Sequence, residues 1–175
     1  GRFLGRLQGR QSGNVFLRKA QYQASEKSAL EIGKLIVAAK IQSSRSVLRR
    51  RLRNHGPEQE VKKAVKHLGS CLRNVESFDS LDQVRGTEGD AAATYFRVFN
   101  YLILPEVQDE FTFEGRNRRP PRDPVNAMLS FLYAVIGQDI SSALQGVGLD
   151  PQVGFLHADR PGRDSLAQDL LEEFR

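Results

Sequence analysis

Three places in this 175-residue sequence hold side chains able to grip a cation or move a proton: Glu88, His157, and the acidic run of Asp169, Glu172 and Glu173. Glu88 is followed by Ala92, Tyr95, Phe99 and Ile103 at three- and four-residue steps. A helix there sets the carboxylate in the apolar stripe. A buried carboxylate with no partner is costly or takes up a proton. It either satisfies the free N–H groups of a first helical turn or meets a cation, a donor or a metal. Ala91, Ala92 and Ala93 beside it are small enough to let another segment approach. His157 follows Gly154-Phe155-Leu156. Alone, it is either a hydrogen-bonded core imidazole or a ligand. In the closing helix Leu166, Leu170 and Phe174 mark an apolar face, with Asp169 and Glu172 on its edge, three residues apart, so that both could reach one metal ion. Glu173 falls nearer the apolar stripe. Acid near a helix C-terminus opposes the macrodipole, a local cost that a bound cation removes. The alternative is a solvated acidic helix end.

One imidazole among carboxylates suits a hard or borderline divalent ion. Oxygen ligands favour Mg²⁺, and the imidazole admits Mn²⁺. In an Arg-rich chain such an ion points to phosphodiester chemistry. The sequence holds 26 Lys+Arg and a net charge of +5. Arg presents a planar fork that fits phosphate oxygens. Between Lys34 and Arg53 there is no acidic residue, and Arg45, Arg49 and Arg53 line one side of a helix. These cations either answer the macrodipole of that helix or contact phosphate.

The elements that must position these residues follow from periodicity and punctuation. Length and a 39% hydrophobic content imply one globular domain with a real core. The single Cys71 excludes an intramolecular disulfide and a cysteine-based zinc site, which suits a reducing cytoplasm. No apolar run reads as long enough to cross a bilayer and no signal peptide is visible, so no membrane partner is expected. The chain reads as a piece of a longer one: it begins at Gly1 and stops at Arg175 inside a helical pattern. The bounded stretch RFLGRLQG predicts a strand left from a preceding β domain, with residues 1–13 as its remnant or linker. Residues 14–175 are expected to form a helical domain, truncated at its C-terminus. Asn14 is an N-cap candidate, and a long helix is expected after Ser25, its core face carrying Ile32, Leu35, Ile36 and Ala39. Asn54-His55-Gly56-Pro57 breaks it. Val61, Val65, Leu68 and Leu72 stripe the next helix. Ser77–Val84 reads as a short helix, Arg85-Gly86 as a joint, and Thr87–Leu104 as an apolar helix ended by Pro105. After a loop, Asp123 caps and Pro124 begins another apolar helix, in which Tyr133 is a core residue rather than a nucleophile. The fold class is therefore mainly α: a helical bundle with a short β remnant at its N-terminus.

Three blocks, RGTEGDAAATYF, FEGRNRRPPRDPVNAMLSFLYAV and VGFLHADRPGRDSLAQDLLEEFR, resemble the signature blocks of the CRISPR-associated spacer-acquisition integrase, the first of the two universal CRISPR-associated proteins. GRFLGRLQGRQSGNVFLRKAQY resembles the junction between its N-terminal β domain and its helical catalytic domain, in wording closest to the subtype I-C branch. The resemblance covers nearly the whole chain, least at residues 54–80. It implies a metal-dependent DNA endonuclease and integrase of CRISPR adaptation, using Mg²⁺ or Mn²⁺. In such a protein a spacer 3′-hydroxyl attacks the phosphodiester at a repeat boundary, a transesterification. By block, Glu88, His157 and Glu172 take the catalytic and metal-binding places, with Asp169 as an auxiliary acid. The adjacent Glu173 leaves the choice of ligand open. The DNA-contacting cations would be Arg85, Arg116, Arg118 and Arg119, with Arg160 and Arg163 beside the histidine. Implied partners are protospacer and repeat DNA, a second copy in a homodimer, and the second small universal CRISPR-associated protein. The competing reading is a DNA-binding subunit whose acids are structural and which catalyses nothing.

Overall fold

The structure is a computed structural model and describes residues 13–117 and 120–174. The expected β remnant and the junction segment before Gly13 lie outside the described residues, as do Arg118 and Arg119. Among the described residues all regular structure is helical, as the periodicity predicts. Six α-helices run α1 Val15–Lys27, α2 Ala29–His55, α3 Gln59–Val75, α4 Leu81–Arg97, α5 Pro124–Val147 and α6 Ser165–Leu171. Short 3₁₀ turns follow at Phe99–Leu102, Pro105–Val107 and Glu172–Phe174.

Several boundaries are set by side-chain caps. Asn14 Oδ1 accepts the Leu17 N–H at 3.1 Å and opens α1. Asp123 Oδ1 accepts the Asn126 N–H at 2.7 Å, and Pro124 supplies the first turn of α5. The expected short helix over 77–84 and joint at Arg85-Gly86 are not found. Ser80 and Gln83 instead form a reciprocal capping box, so α4 starts at Leu81 and runs unbroken through Gly86. Each glycine in a helix, here Gly86 and Gly89, costs about 1 kcal/mol, which the cap and the packing offset. At the other end α4 stops at Arg97 rather than Leu104. The Val98 N–H bonds the Tyr95 carbonyl, and the chain tightens into the 3₁₀ turn.

The core lies where α2 packs on α3 and α4. Ile36, Val37, Ile41 and Leu48 of α2 meet Val61, Leu68 and Val75 of α3, with Val84, Ala91 and Tyr95 of α4. Leu35, expected on the core face of α2, is 70% exposed. The buried stripe instead runs Gly33, Ile36, Val37, Lys40, Ile41, Ser44 and Leu48, and so includes a lysine. A smaller cluster joins Leu144 of α5 to Leu166 and Ala167 of α6. The loop between α5 and α6 returns over α2 and buries Leu156 in the main core. A Cβ at Gly33 would lie 2.9 Å from Leu81 Cδ2, so a side chain there would displace the end of Leu81, while Leu156 Cδ1 at 3.6 Å stands at ordinary contact distance.

By length and composition α5 is apolar enough to cross a membrane, against the expectation from sequence. Its polar residues, among them Gln138 and Asp139, interrupt the run without lowering the average below that level. Met128, Phe131, Leu132 and Val135 are exposed at the spacing of one helix face.

Candidate active site

Each chemical side chain expected from sequence is delivered by a different element. Glu88 stands in the second turn of α4, on the buried row of Val84, Ala91 and Tyr95. His157 lies in the loop ahead of α6, Asp169 near the end of α6, and Glu172 at the start of the last 3₁₀ turn. Glu88 and Glu172 meet at Lys40 from the middle of α2, and Asp169 and His157 pair with each other beside Glu172. Lys40 Nζ donates to Glu88 Oε1, and to Glu172 Oε2 at 2.5 Å. Its side chain is 7% exposed, that of Glu172 1% and that of Glu88 26%, so the cluster is buried on the α2 side and opens at Glu88.

Asp169 is fully buried, and both its oxygens are occupied. Oδ2 accepts the backbone N–H groups of Phe155 at 2.6 Å and Leu156 at 3.0 Å. Oδ1 accepts the His157 N–H at 2.9 Å and contacts His157 Nδ1 at 2.6 Å. A carboxylate only accepts, so Nδ1 carries a proton, and in the neutral ring Nε2 then presents its lone pair. Nε2 lies 3.9 Å from Glu172 Oε1. Gly154 makes this loop possible, because a Cβ there would stand 2.6 Å from the His157 carbonyl and 2.7 Å from Ser165 Cβ.

The face of α6 differs from the sequence reading. Leu170 and Phe174 are exposed, whereas Asp169 and Glu172 are among the most buried side chains of the domain. The backbone N–H groups of the 155–157 loop and Lys40 make that acid burial tolerable. Glu173, expected nearer the core, is exposed.

Above Glu88 and His157 opens a cavity of about 370 Å³, lined also by Arg85, Arg160 and Arg163. Arg85 Nε donates to the Leu156 carbonyl at 2.8 Å, and Arg163 donates to the Ala158 carbonyl and to Ser165 Oγ. Arg160 is exposed at the rim. Arg116 is not brought here. Its Nη1 donates to Asn126 Oδ1 at 2.7 Å and to the Asn117 carbonyl at 2.6 Å, and its guanidinium lies over the Tyr133 ring. The residue that sequence reasoning missed is Lys40. The signal was available: like Glu88, it is a charge on an apolar helical row, between Val37 and Ile41.

The donor set fits a divalent cation. Glu88 and Glu172 turn oxygens to one cationic point, and His157 has a free nitrogen oriented by a carboxylate, the arrangement that metal-bound histidines use. A second group of ligating side chains, His67, Cys71 and Asp90, lies on α3 and α4. Asp90 is two residues from Glu88 and so points to another side of α4. Within that group His67 Nε2 and Asp90 Oδ2 lie in hydrogen-bond contact at 2.6 Å.

Fold and site together define a helical domain built around a histidine and buried carboxylates beneath an arginine-lined cleft. The family described as CRISPR associated protein Cas1 matches residues 1–175, and the chain belongs to it. It is 51% identical, over its full length, to "CRISPR-associated endonuclease Cas1 2" of Rhodospirillum rubrum, and 46% identical to "CRISPR-associated endonuclease Cas1 1" of Chlorobaculum tepidum. It spans 52% of each of those relatives. Among solved structures it is similar to a "Cas6-RT-Cas1--Cas2 complex" chain, with TM-score 0.81 and 28% identity over 99% of this chain and 19% of that one. It also resembles a "Casposase bound to integration product", with TM-score 0.75 and 30% identity over 94% of this chain and 45% of the other.

Proposed function

We propose that this chain is the helical catalytic domain of a metal-dependent DNA endonuclease and integrase of CRISPR adaptation, acting in the cytoplasm by transesterification at repeat ends. The observation that carries the reading is the convergence of three separate elements under a basic cleft: Glu88 and Glu172 meet at Lys40, and His157 Nε2 lies 3.9 Å from Glu172 Oε1. Glu88, Glu172 and His157 Nε2 would hold Mg²⁺ or Mn²⁺, which supplies charge stabilisation at a phosphoryl oxygen when bound. Asp169 holds the imidazole in the tautomer that leaves Nε2 free. Arg85, Arg160 and Arg163 flank the cavity, placed to hold a DNA backbone. Arg116 is committed to protein contacts and serves the loop before α5 in this reading. The exposed apolar face of α5 suits docking against further polypeptide, in keeping with a homodimer and a second small CRISPR-associated partner. The relatives' names and the DNA-bound casposase support the reaction class.

One observation favours the competing reading, a DNA-binding subunit with structural acids: Lys40 already satisfies both glutamates. Cleavage of branched DNA in the presence of Mn²⁺ separates the two. Cleavage that vanishes in Glu88→Ala and His157→Ala supports the catalytic domain, and cleavage that survives both substitutions rules it out.

A further inference from the structure

Among the described residues, Lys40 is the one buried charge that the proposed mechanism does not use. Its position is unusual: a lysine on the apolar row of α2, reaching the same two carboxylates that the catalytic reading assigns to a metal. Two carboxylates held together away from water repel each other, and each loses hydration. The ammonium offsets both effects, so the domain is built to keep the pair together with no divalent ion. The same contact works against loading. Glu88, Glu172 and Lys40 together carry a single negative charge. A divalent ion added to them leaves a net positive charge, with its repulsion from the ammonium acting at short range in a half-buried setting. A DNA phosphodiester in the cleft beside Glu88 would bring a negative charge that offsets this repulsion.

We propose that Lys40 is a resident counter-ion that competes with the divalent metal for Glu88 and Glu172, weakening metal binding until substrate phosphate arrives. The proposal rests on the reading of Glu88 and Glu172 as metal ligands. The ammonium gives up its carboxylate contacts as the ion enters and takes them back when the ion leaves. A purely structural lysine makes the opposite prediction, because its removal would splay the carboxylates and weaken any metal site.

The test is Mn²⁺ affinity of the whole chain without DNA, read from the electron paramagnetic resonance signal of free Mn²⁺, in the unaltered protein and in Lys40→Met. The neutral variant is expected to bind Mn²⁺ about tenfold or more tightly, and short duplex DNA to tighten Mn²⁺ binding less in the variant than in the unaltered protein. Equal or weaker Mn²⁺ binding by Lys40→Met overturns the counter-ion proposal and leaves the metal site standing. No Mn²⁺ binding by either protein overturns both. Should Lys40→Met not fold, labelling of the unaltered chain with an amine-specific reagent decides. Modification of Lys40, read by peptide mass, should rise when Mn²⁺ is added; modification that stays level or falls overturns the proposal.

Discussion

Asp169 binds His157 twice through a single oxygen: Oδ1 takes the backbone N–H at 2.9 Å and meets ring Nδ1 at 2.6 Å. The other oxygen secures the two residues before the histidine. One buried carboxylate thus fixes the backbone, the ring orientation and the tautomer together. The acid expected from sequence to share a metal is placed here to aim the imidazole, and Glu172 takes the position facing Glu88 through Lys40.

Asp169→Asn should therefore cost far more stability than loss of the histidine. An amide keeps the shape but turns an N–H₂ toward backbone donors, leaving buried groups unsatisfied. A loss of about 2–4 kcal/mol is expected in urea denaturation. His157→Ala, at a ring 28% exposed, should cost about 1 kcal/mol or less. If the two variants unfold at the same urea concentration, Asp169 does not organise this loop.

The burial of Glu172 and exposure of Glu173 make a discriminating pair. Glu172→Ala, like Glu88→Ala and His157→Ala, should lower metal-dependent DNA cleavage by about a hundredfold or more. Glu173→Ala should leave cleavage within about twofold of the unaltered chain. Initial rates on a branched DNA substrate provide the comparison, and a large defect in Glu173→Ala alone would reverse the assignment.

Gly154→Ala tests the loop by steric means. Its Cβ would crowd the His157 carbonyl, Ser165 Cβ and Asp169 Oδ2, the last at 3.2 Å. Two of these belong to well-buried residues, so the backbone rather than a flexible side chain must give way. The expected cost is about 1–3 kcal/mol, read as a lower melting temperature together with reduced cleavage. Gly89→Ala, with open space around its Cβ, is the matched control and should be neutral or slightly stabilising.

Alkaline stability should reveal Tyr95. Burial, with a smaller contribution from Tyr133, pushes its phenol up from 10.0 to about 12. The folded state thus holds this proton at pH values where the unfolded chain has released it. The contribution is fully present below about pH 10 and is lost as pH rises toward 12, by about 3 kcal/mol at most. Urea unfolding at about pH 9 and about pH 11 should show the decline. Tyr95→Phe should remove this part of the slope, and an unchanged slope would place the effect elsewhere.

Much of the helical framework was legible from local chemistry. Asn14, Asp123 and Pro124 mark helix starts because capping depends on the nearest few residues, and Gly56 marks a stop for the same reason. The stripe through Val61 and Leu68 was visible because an amphipathic helix repeats its burial along the chain. The reading failed where a nearby cap competed with a breaker. Ser80 and Gln83 start α4 earlier than expected and carry it through Gly86, where the sequence predicts a joint.

The sequence by itself determined which residues could do chemistry: a carboxylate on an apolar row, one histidine after a small apolar run, and a closing acidic cluster. It did not determine how they divide the work. Asp169, Glu172 and Glu173 are alike in type and close in spacing, so no local rule separates them. Tertiary structure separated them, through backbone donors of the 155–157 loop at Asp169, Lys40 at Glu172 and solvent at Glu173. Lys40 is 48 residues from one carboxylate and 132 from the other. Contacts over such separations arise only when α2, α4 and the last turn pack together, because burial and charge pairing depend on distance in space and not along the chain.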